Sequence, residues 1–566
     1  MINGFRGSVF KATSFVVLFA CINLVIISAF AAPQLPGSAD VNRVKPLPEI
    51  KIEKQKPAEI KIPKESSFVK IPESAKAVRF VLNDILLTNA HVFSENELDD
   101  IYRPFLGKEV TLDYIWQFAG QITERYRQKG FFLSRAYVPL QEINNGVVSI
   151  NIVEGYISDI EMTGDSVDSK IIKNTLAKLK AEKPLNSKVL ESTILRLNEL
   201  PELTFKGYLE PAAGKTDQSV KLTLNVTREK SETFMQVSNY GSLYLGPWQA
   251  MISNNSNLIE HQNTSLTLLS SIPAKELKYV SLAQTIPLND KYDFQINTAY
   301  ATSSPGEELE VNDIINTSTS IGFSFIYKPI RQRQKNLTLS IEFDYKDTNG
   351  DILQNTPLTK DNMRAIRVHA NFDTNDRFNG YNYIDLGYNQ GIDVLGASNK
   401  GDLNLSRAEA EPNFSSVTVR YIRQQWLSTN WLTLAGVSGQ WASGPLFSSE
   451  EFGYGGQSFG RAYDSSEITG DHGLAGMVEL RYFGLKPWKG IQTKPFAFYD
   501  LGKIWNEDKD SNSITASSAG FGFHSEHKSN TSASFTMAWP LTKKIDNPIY
   551  GNNKSPRAML QISYKL

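Results

Sequence analysis

Along the chain the spacing of apolar residues changes character more than once. Ala12 to Ala32 is one apolar run, residues 78–227 alternate helical and strand patterns, and from Phe234 onward only a two-residue period survives. In the middle part a strand over Val78 to Leu87 leads to Ser94-x-x-Glu97, a capping-box pattern that opens a helix. Leu112, Ile115, Trp116, Ala119, Ile122 and Tyr126 then form one apolar stripe that Gly130 ends, which predicts a second helix. Strands over Phe131 to Val138 and Val147 to Val153 follow, joined by a turn containing Asn145-Gly146. The same order recurs: a strand near Tyr156 to Met162, helices from about Asp168 to Lys180 and Ser187 to Leu200, and strands Leu203 to Leu209 and Ser219 to Thr227. Two tandem β-α-α-β-β units, residues 76–155 and 156–228, are expected, each large enough for a small core.

Residues 229–566 carry sixteen alternating segments separated by clusters of Asn, Gly, Asp, Pro and Ser, among them 318–327, 337–345, 365–372, 431–442, 472–482 and 494–505. In the last one Ala558, Leu560, Ile562, Tyr564 and Leu566 fall on one face, opposite Arg557, Met559, Gln561, Ser563 and Lys565. A tilted strand of about 9–11 residues crosses a bilayer, bacterial barrels have even strand numbers, and an apolar outside with a polar lumen accounts for the two faces. The expected fold is a transmembrane β-barrel of sixteen antiparallel strands preceded by the two α+β units.

Arg6 and Lys11 before the apolar run, and Ala29-Phe30-Ala31 at its end, read as a cleaved export signal over residues 1–31. The one cysteine, Cys21, lies inside it, so the mature chain is expected to hold no disulfide and no Cys-ligated metal. Prolines at 33, 36, 46, 48, 57, 63 and 72 mark residues 32–75 as an extended linker. They leave only about Gly37 to Lys45 for a short helix that could plug the barrel. Composition adds that 41% hydrophobic with 21% charged residues excludes a polytopic helical membrane protein. The near balance of 59 basic and 60 acidic residues gives no sign of nucleic acid as a partner.

Glu450-Glu451-Phe452-Gly453-Tyr454-Gly455-Gly456-Gln457-Ser458-Phe459-Gly460-Arg461-Ala462-Tyr463-Asp464, continuing to Glu479-Leu480-Arg481-Tyr482, closely resembles the signature of two-partner secretion transporters. Phe498-Tyr499-Asp500-Leu501-Gly502-Lys503-Ile504-Trp505 resembles that family's second barrel signature. The resemblance implies two polypeptide-transport-associated (POTRA) domains in the periplasm and a sixteen-stranded barrel in the Gram-negative outer membrane. It also implies export of a large secreted β-helical partner of hemolysin or adhesin type. In that family the loop after the eleventh strand folds into the barrel and its arginine meets an aspartate on the thirteenth, which maps onto Arg461 and Asp500. Gly455, Gly456, Gly460, Tyr463 and Asp464 carry over as the loop signature. Outer-membrane lipid and the barrel-assembly machinery are the other implied partners. One departure is the terminal Leu566, where such barrels usually end in Phe.

No cofactor and no enzymatic activity are expected. The six histidines form no HExxH arrangement, His524 and His527 read as a solvated loop pair, and Gly453-x-Gly455-Gly456 lacks the βαβ setting of a dinucleotide site. Within the same superfamily the alternative is a barrel-assembly insertase, which usually carries more than two POTRA units. A passive porin would leave residues 76–228 without a purpose.

Overall fold

The computed structural model describes residues 35–44, 60–61, 71, 73–212, 219–353, 356–507 and 513–566. The expected signal, Cys21 and most of the proline-rich linker lie outside them. β1 is Ile60–Lys61. The first α+β unit contains β2 (Arg79–Leu82), β3 (Asp84–Thr88), β4 (Lys108–Thr111), α1 (Leu112–Gln128), β5 (Arg135–Tyr137) and β6 (Val147–Val153). Its sheet runs β3-β6-β5, and β2 pairs with β4 in a separate ribbon. The strand expected over Val78 to Leu87 is therefore two, because Asn83 N and Asp84 N both turn to donate to Gly146 O between the two ladders.

The helix expected at Ser94 is not an α-helix. The capping box forms, but the chain closes into three 3-10 turns, Glu95–Glu97, Asp99–Ile101 and Arg103–Phe105. Pro104 has no N–H for a bond back to Asp100, which leaves too few residues after the cap for a stable α-helix. Leu98, Ile101 and Tyr102 still reach the core beneath α1, beside Ile115, Phe118 and Ile122. Tyr126 donates to Glu154 Oε1 at 2.8 Å, and burial followed by this acceptor pushes the phenol far above its usual range.

The second unit has the expected order: β7 (Ile157–Gly164), α2 (Lys170–Ala181), α3 (Ser187–Asn198), β8 (Leu203–Pro211) and β9 (Val220–Arg228). Asn186 caps α3 by accepting from Lys188 N at 3.0 Å. Leu190, Ile194 and Leu197 on one helix face bury against Phe205, Leu222 and Leu224 of the sheet. That sheet runs β1-β8-β9-β7.

The remaining strands close into the barrel. Its first eleven are β10 (Glu232–Ser238), β11 (Gln249–Ser256), β12 (Asn263–Ser271), β13 (Leu277–Pro287), β14 (Tyr292–Ser303), β15 (Ile315–Gln332), β16 (Lys335–Ile352), β17 (Thr356–Asn375), β18 (Gly380–Gly391), β19 (Ser415–Trp426) and β20 (Trp431–Ala442). A small hairpin, β21 (Phe452–Tyr454) with β22 (Ile468–Gly470), stands apart from the wall. β23 (His472–Tyr482), β24 (Ile491–Trp505), β25 (Ile514–His527), β26 (Thr531–Pro540) and β27 (Arg557–Lys565) complete the sixteen.

All sixteen expected segments fall on wall strands. β15, β16 and β17 run to 18, 18 and 20 residues, longer than expected and longer than a bilayer requires. Ile562, Tyr564, Val478, Leu480, Tyr499 and Leu501 face outward, while Met559, Gln561, Ser563, Glu479, Phe498 and Asp500 are buried inside. The strand parity of Asp500 is thus luminal. Among the described residues no helix is long and apolar enough to cross a membrane; the crossing is made by strands, whose backbone groups are all paired around a closed sheet. Closure is thinnest where β10 meets β27 over five residue pairs, against eighteen between β16 and β17.

The second α+β unit sits on the short turns of the barrel through α3. Buried Arg196 donates to Asp290 O at 3.0 Å, Lys328 O at 2.9 Å and Pro329 O at 3.1 Å. Glu199 pairs with Lys328 at 3.0 Å and Arg331 at 2.5 Å. Hydrogen bonds from a charged donor contribute about 1.5–3 kcal/mol each, so Arg196→Ala should speed tryptic cleavage at Arg228 and Lys230 about tenfold, with the heat-modifiable barrel band unchanged on a gel. Equal cleavage rates would mean that Glu199 and the other ion pairs across the joint, Lys178 with Asp290 among them, hold it without Arg196.

Candidate functional site

The 29 residues between β20 and β23 do not stay outside the barrel. The β21–β22 hairpin forms their stem, with Phe452, Gly453 and Tyr454 opposite Gly470, Thr469 and Ile468. Beyond it the chain makes tight turns that need glycine. Gly455 and Gly460 have φ of +119° and +73°; a Cβ on the first would lie 1.9 Å from Asp464 O, and one on the second 2.5 Å from the Tyr454 ring. Gly456, also at positive φ, donates its N–H to Tyr463 O at 3.1 Å. These turns aim three signature side chains, Arg461, Tyr463 and Asp464, at three different parts of the wall.

Arg461 reaches β24 and β23. Its backbone N and its Nε donate to Asp500 Oδ2 at 3.0 and 3.2 Å, and Nη2 donates to Asp500 Oδ1 at 2.9 Å. Nη1 donates to Glu479 Oε2, and the guanidinium lies 3.5 Å from the centre of the Phe498 ring. Ser518 Oγ donates to Asp500 at 3.1 Å, and Arg481 pairs with the other oxygen of Glu479. Arg461 is 7% exposed, Glu479 2% and Asp500 0%, so one cation and two carboxylates lie away from bulk water, and the half-buried Arg481 balances the remaining charge. The pairing of Arg461 with Asp500 was expected; Glu479 was not. Its signal was a charged residue at luminal parity in β23, between the outward Val478 and Leu480.

Tyr463 is fully buried, with its hydroxyl 3.1 Å from Ser517 O and 2.8 Å from Lys543 O. Asp464 pairs with Arg557 Nη1 at 3.0 Å at the start of β27 and accepts from Leu243 N at 2.6 Å in the loop after β10. Arg557 in turn donates to Tyr463 O and Gly241 O at 2.8 and 2.9 Å. Asp464 and Arg557 thereby bridge the five-pair closure.

The N-terminal segment 35–44 also lies in the lumen, as two 3-10 turns, Gly37–Ala39 and Val41–Arg43, in place of a helix. Val41 packs on Leu245, Leu269, Leu277 and Ala301 of the wall. Asn42 Oδ1 accepts from Ser318 Oγ at 2.6 Å and Thr348 Oγ1 at 3.0 Å. Arg43 donates to Glu451 O and Oε2, each at 3.1 Å, and to Ser448 O. Glu451 also meets Arg407, which pairs with the fully buried Asp471. Its neighbour Glu450 turns the other way, into a two-pronged pair with Arg367 of β17 at 2.9 and 2.9 Å. Around the loop and the segment the lumen keeps cavities of about 700 and 510 Å³. Among the described residues no His/Cys/Asp/Glu group has metal-binding geometry; His524 stacks on Phe496, and His527 bonds Ser529.

The family described as haemolysin secretion/activation protein ShlB/FhaC/HecB matches residues 222–523, and the POTRA domain of ShlB type matches residues 80–155. The heme/hemopexin transporter protein HuxB of Haemophilus influenzae (strain 86-028NP) is 23% identical over 82% of this chain and 84% of its own. The outer membrane transporter CdiB of Dickeya dadantii (strain 3937) is 20% identical over 94% of this chain and 96% of its own. Among solved structures, CdiB from Escherichia coli superposes with a TM-score of 0.72 at 17% identity, covering 91% of this chain and 94% of that one.

Removing one member of a buried, paired charge set costs about 3–5 kcal/mol, so Arg461→Ala should raise maleimide labelling of S465C from outside the cell about a hundredfold, with barrel abundance unchanged. Lysine at 461 should restrain the loop only in part, since it lacks the planar fork. The exchange R461D/D500R sets a carboxylate against Glu479 and should recover little; adding E479Q should recover more. Labelling by R461A at the wild-type rate would refute the anchoring role.

Proposed function

The chain belongs to the haemolysin secretion/activation protein family, ShlB/FhaC/HecB, the outer-membrane transporters of two-partner secretion, and on that premise we propose how its parts divide the work of exporting a secreted partner protein. Arg461, Tyr463 and Asp464 hold the inward loop in the resting barrel, and residues 35–44 stop the lumen beside it. The observation that carries this reading is the clasp of Arg461 between Asp500 and Glu479, which ties the loop to two adjacent wall strands at once. Glu451, gripping Arg43, joins the stopper to the same loop.

The partner is a large β-helical protein of hemolysin or adhesin type, which passes as an extended chain; lumen cavities of about 700 Å³ support that state over a folded one. Residues 76–155 and 156–228 act as two POTRA domains in the periplasm that take up the unfolded partner by adding its strands to their sheets. Support for the second domain is its strand order, which repeats that of the matched first unit. Folding outside the cell gives export its direction. The apolar outer face contacts outer-membrane lipid, the alternating β27 is the segment offered to the barrel-assembly machinery, and no nucleic acid, cofactor or catalysis is assigned. The family's secretion role supports export over insertion of other barrels.

Two measurements test the reading. Arg461→Ala should cut the appearance of the large partner protein in the medium at least tenfold at equal barrel abundance, the scale expected when a buried charge pair is broken; normal secretion would overturn the loop's role. Arg43→Ala, which strips the stopper of its ion pair and leaves the loop anchored, should raise planar-bilayer conductance several-fold, on the scale of a partly buried charge-assisted bond. Unchanged conductance would place the stop elsewhere.

A further inference from the structure

The second α+β unit meets the turns β13–β14 and β15–β16, so the loop between β18 and β19 lies at the opposite, outer end of the barrel. Its 23 residues do not all stand out into solvent. Ala410 and Phe414 pack with Leu446 and Phe447 against Met363, Ala365 and Ala442, and no member of this cluster is more than 3% exposed. Met363 and Ala365 share the strand parity of Arg367, and Ala442 shares that of Gln440, both of which line the luminal cavity. The cluster therefore fills the outer mouth from inside the wall.

Arg407 fastens this loop. Its two Nη atoms pair with the two oxygens of Asp471, Nη1 also donates to Leu446 O at 2.8 Å, and Nη1 lies 3.4 Å from Glu451 Oε1. Beside it Ser448 N donates to Ser406 Oγ at 3.1 Å. The stopper holds the same four residues from the other side. Arg43 donates to Glu451 Oε2 and to the carbonyls of Ser448 and Glu451, and Ser448 Oγ donates to Asp40 Oδ2 at 3.2 Å. We propose that residues 392–414 are a lid on the outer mouth, in series with the stopper, and that Glu451 interlocks the two by gripping the lid harder once Arg43 has left. The inference goes beyond the division of work proposed above and rests on its stopper.

The interlock follows from one carboxylate serving two guanidinium groups. Arg43 holds one oxygen at 3.1 Å, whereas Arg407 stands 3.4 Å from the other, outside good hydrogen-bond range. Departure of Arg43 removes both a competitor for the carboxylate and a like charge, so Glu451 can close on Arg407, while the two-pronged pair with Asp471 stays as it was. Withdrawal of the stopper thus opens one barrier and firms the other. The lid gives way only when a chain emerging through the lumen parts Phe414 from Phe447, whose rings meet edge to face at 6.5 Å. In this arrangement the outer membrane keeps a seal between release of the stopper and arrival of the partner.

The test uses the full-length transporter in planar bilayers. Barriers in series predict that R43A/R407A conducts several-fold more than the product of the two single rises. Adding S406C/S448C to that double variant replaces the lost latch by a disulfide, which apposed positions permit. When oxidised it should return the conductance to the R43A level, and dithiothreitol should release it. A double variant that only multiplies the single effects, or a disulfide without effect, would overturn the lid. The interlock is read from maleimide labelling of A410C, a position buried under the closed lid. R43A should slow that labelling severalfold, and E451Q, which keeps the shape and removes the charge, should erase the difference; labelling of R43A at the wild-type rate or faster would overturn it. Wild-type secretion is followed in parallel so that the two readings fail separately. No secretion with the expected conductances overturns export and leaves a doubly gated pore, whereas normal secretion with purely multiplicative conductances overturns the lid alone.

Discussion

A guanidinium inside a barrel has to be neutralised where it stands, and the placement of Arg461 organises much of what surrounds it. Moving an ion out of water costs several kcal/mol unless good partners replace the hydration. Here Asp500 supplies both oxygens, Glu479 one, Arg481 balances the second carboxylate, and the Phe498 ring covers the face of the cation. The four charges lie on one loop and two neighbouring strands, so the loop position is fixed relative to β23 and β24 together. The glycine turns at 455 and 460, the inward Tyr454 and the buried Tyr463 follow from having to deliver that one residue to that one place.

The adjacent glutamates show how a short sequence serves two purposes. Glu450 is bound to the wall through Arg367, and Glu451 faces inward to Arg43 and Arg407. Glu450 ends a 3-10 turn and Glu451 is extended, so their side chains part, and a single dipeptide fastens the loop stem outward and the N-terminal segment inward. The stopper then needs no helix of its own. Two 3-10 turns suffice when polar side chains of the wall and the loop take up the backbone and side-chain groups, as Ser242 does for Ser38 O and Ser318 for Asn42.

Much of the architecture was legible in the sequence, because lipid on one side and a polar lumen on the other impose a two-residue period on every wall strand. All sixteen segments were found, as were α1, α2, α3 and the luminal pairing of Arg461 with Asp500 once the signature had been recognised. The misreadings have local causes. Pro104 broke a helix that its cap announced, and the split at Asn83 depends on Gly146, 63 residues away. Arg43 and Glu451 are 408 residues apart, and neither carries a mark that points to the other. The seating of β1 on β8 was hidden for a similar reason: two residues in a proline-rich stretch have no periodicity to read.

Asp464 adds something that neither signature announces. Its two partners on the wall, Arg557 and the N–H of Leu243, come from opposite sides of the seam where the first and last strands meet, and Asn239 doubles that join by bonding Ala558 and Leu560. No such pair of partners exists on an open, curled sheet. The receptor for Asp464 comes into being only when the cylinder has closed, so the loop can seat fully only on a finished barrel. Seating of the loop is in effect the molecule's own inspection of its assembly, and a barrel with a gaping seam carries its rejection as an unfilled socket.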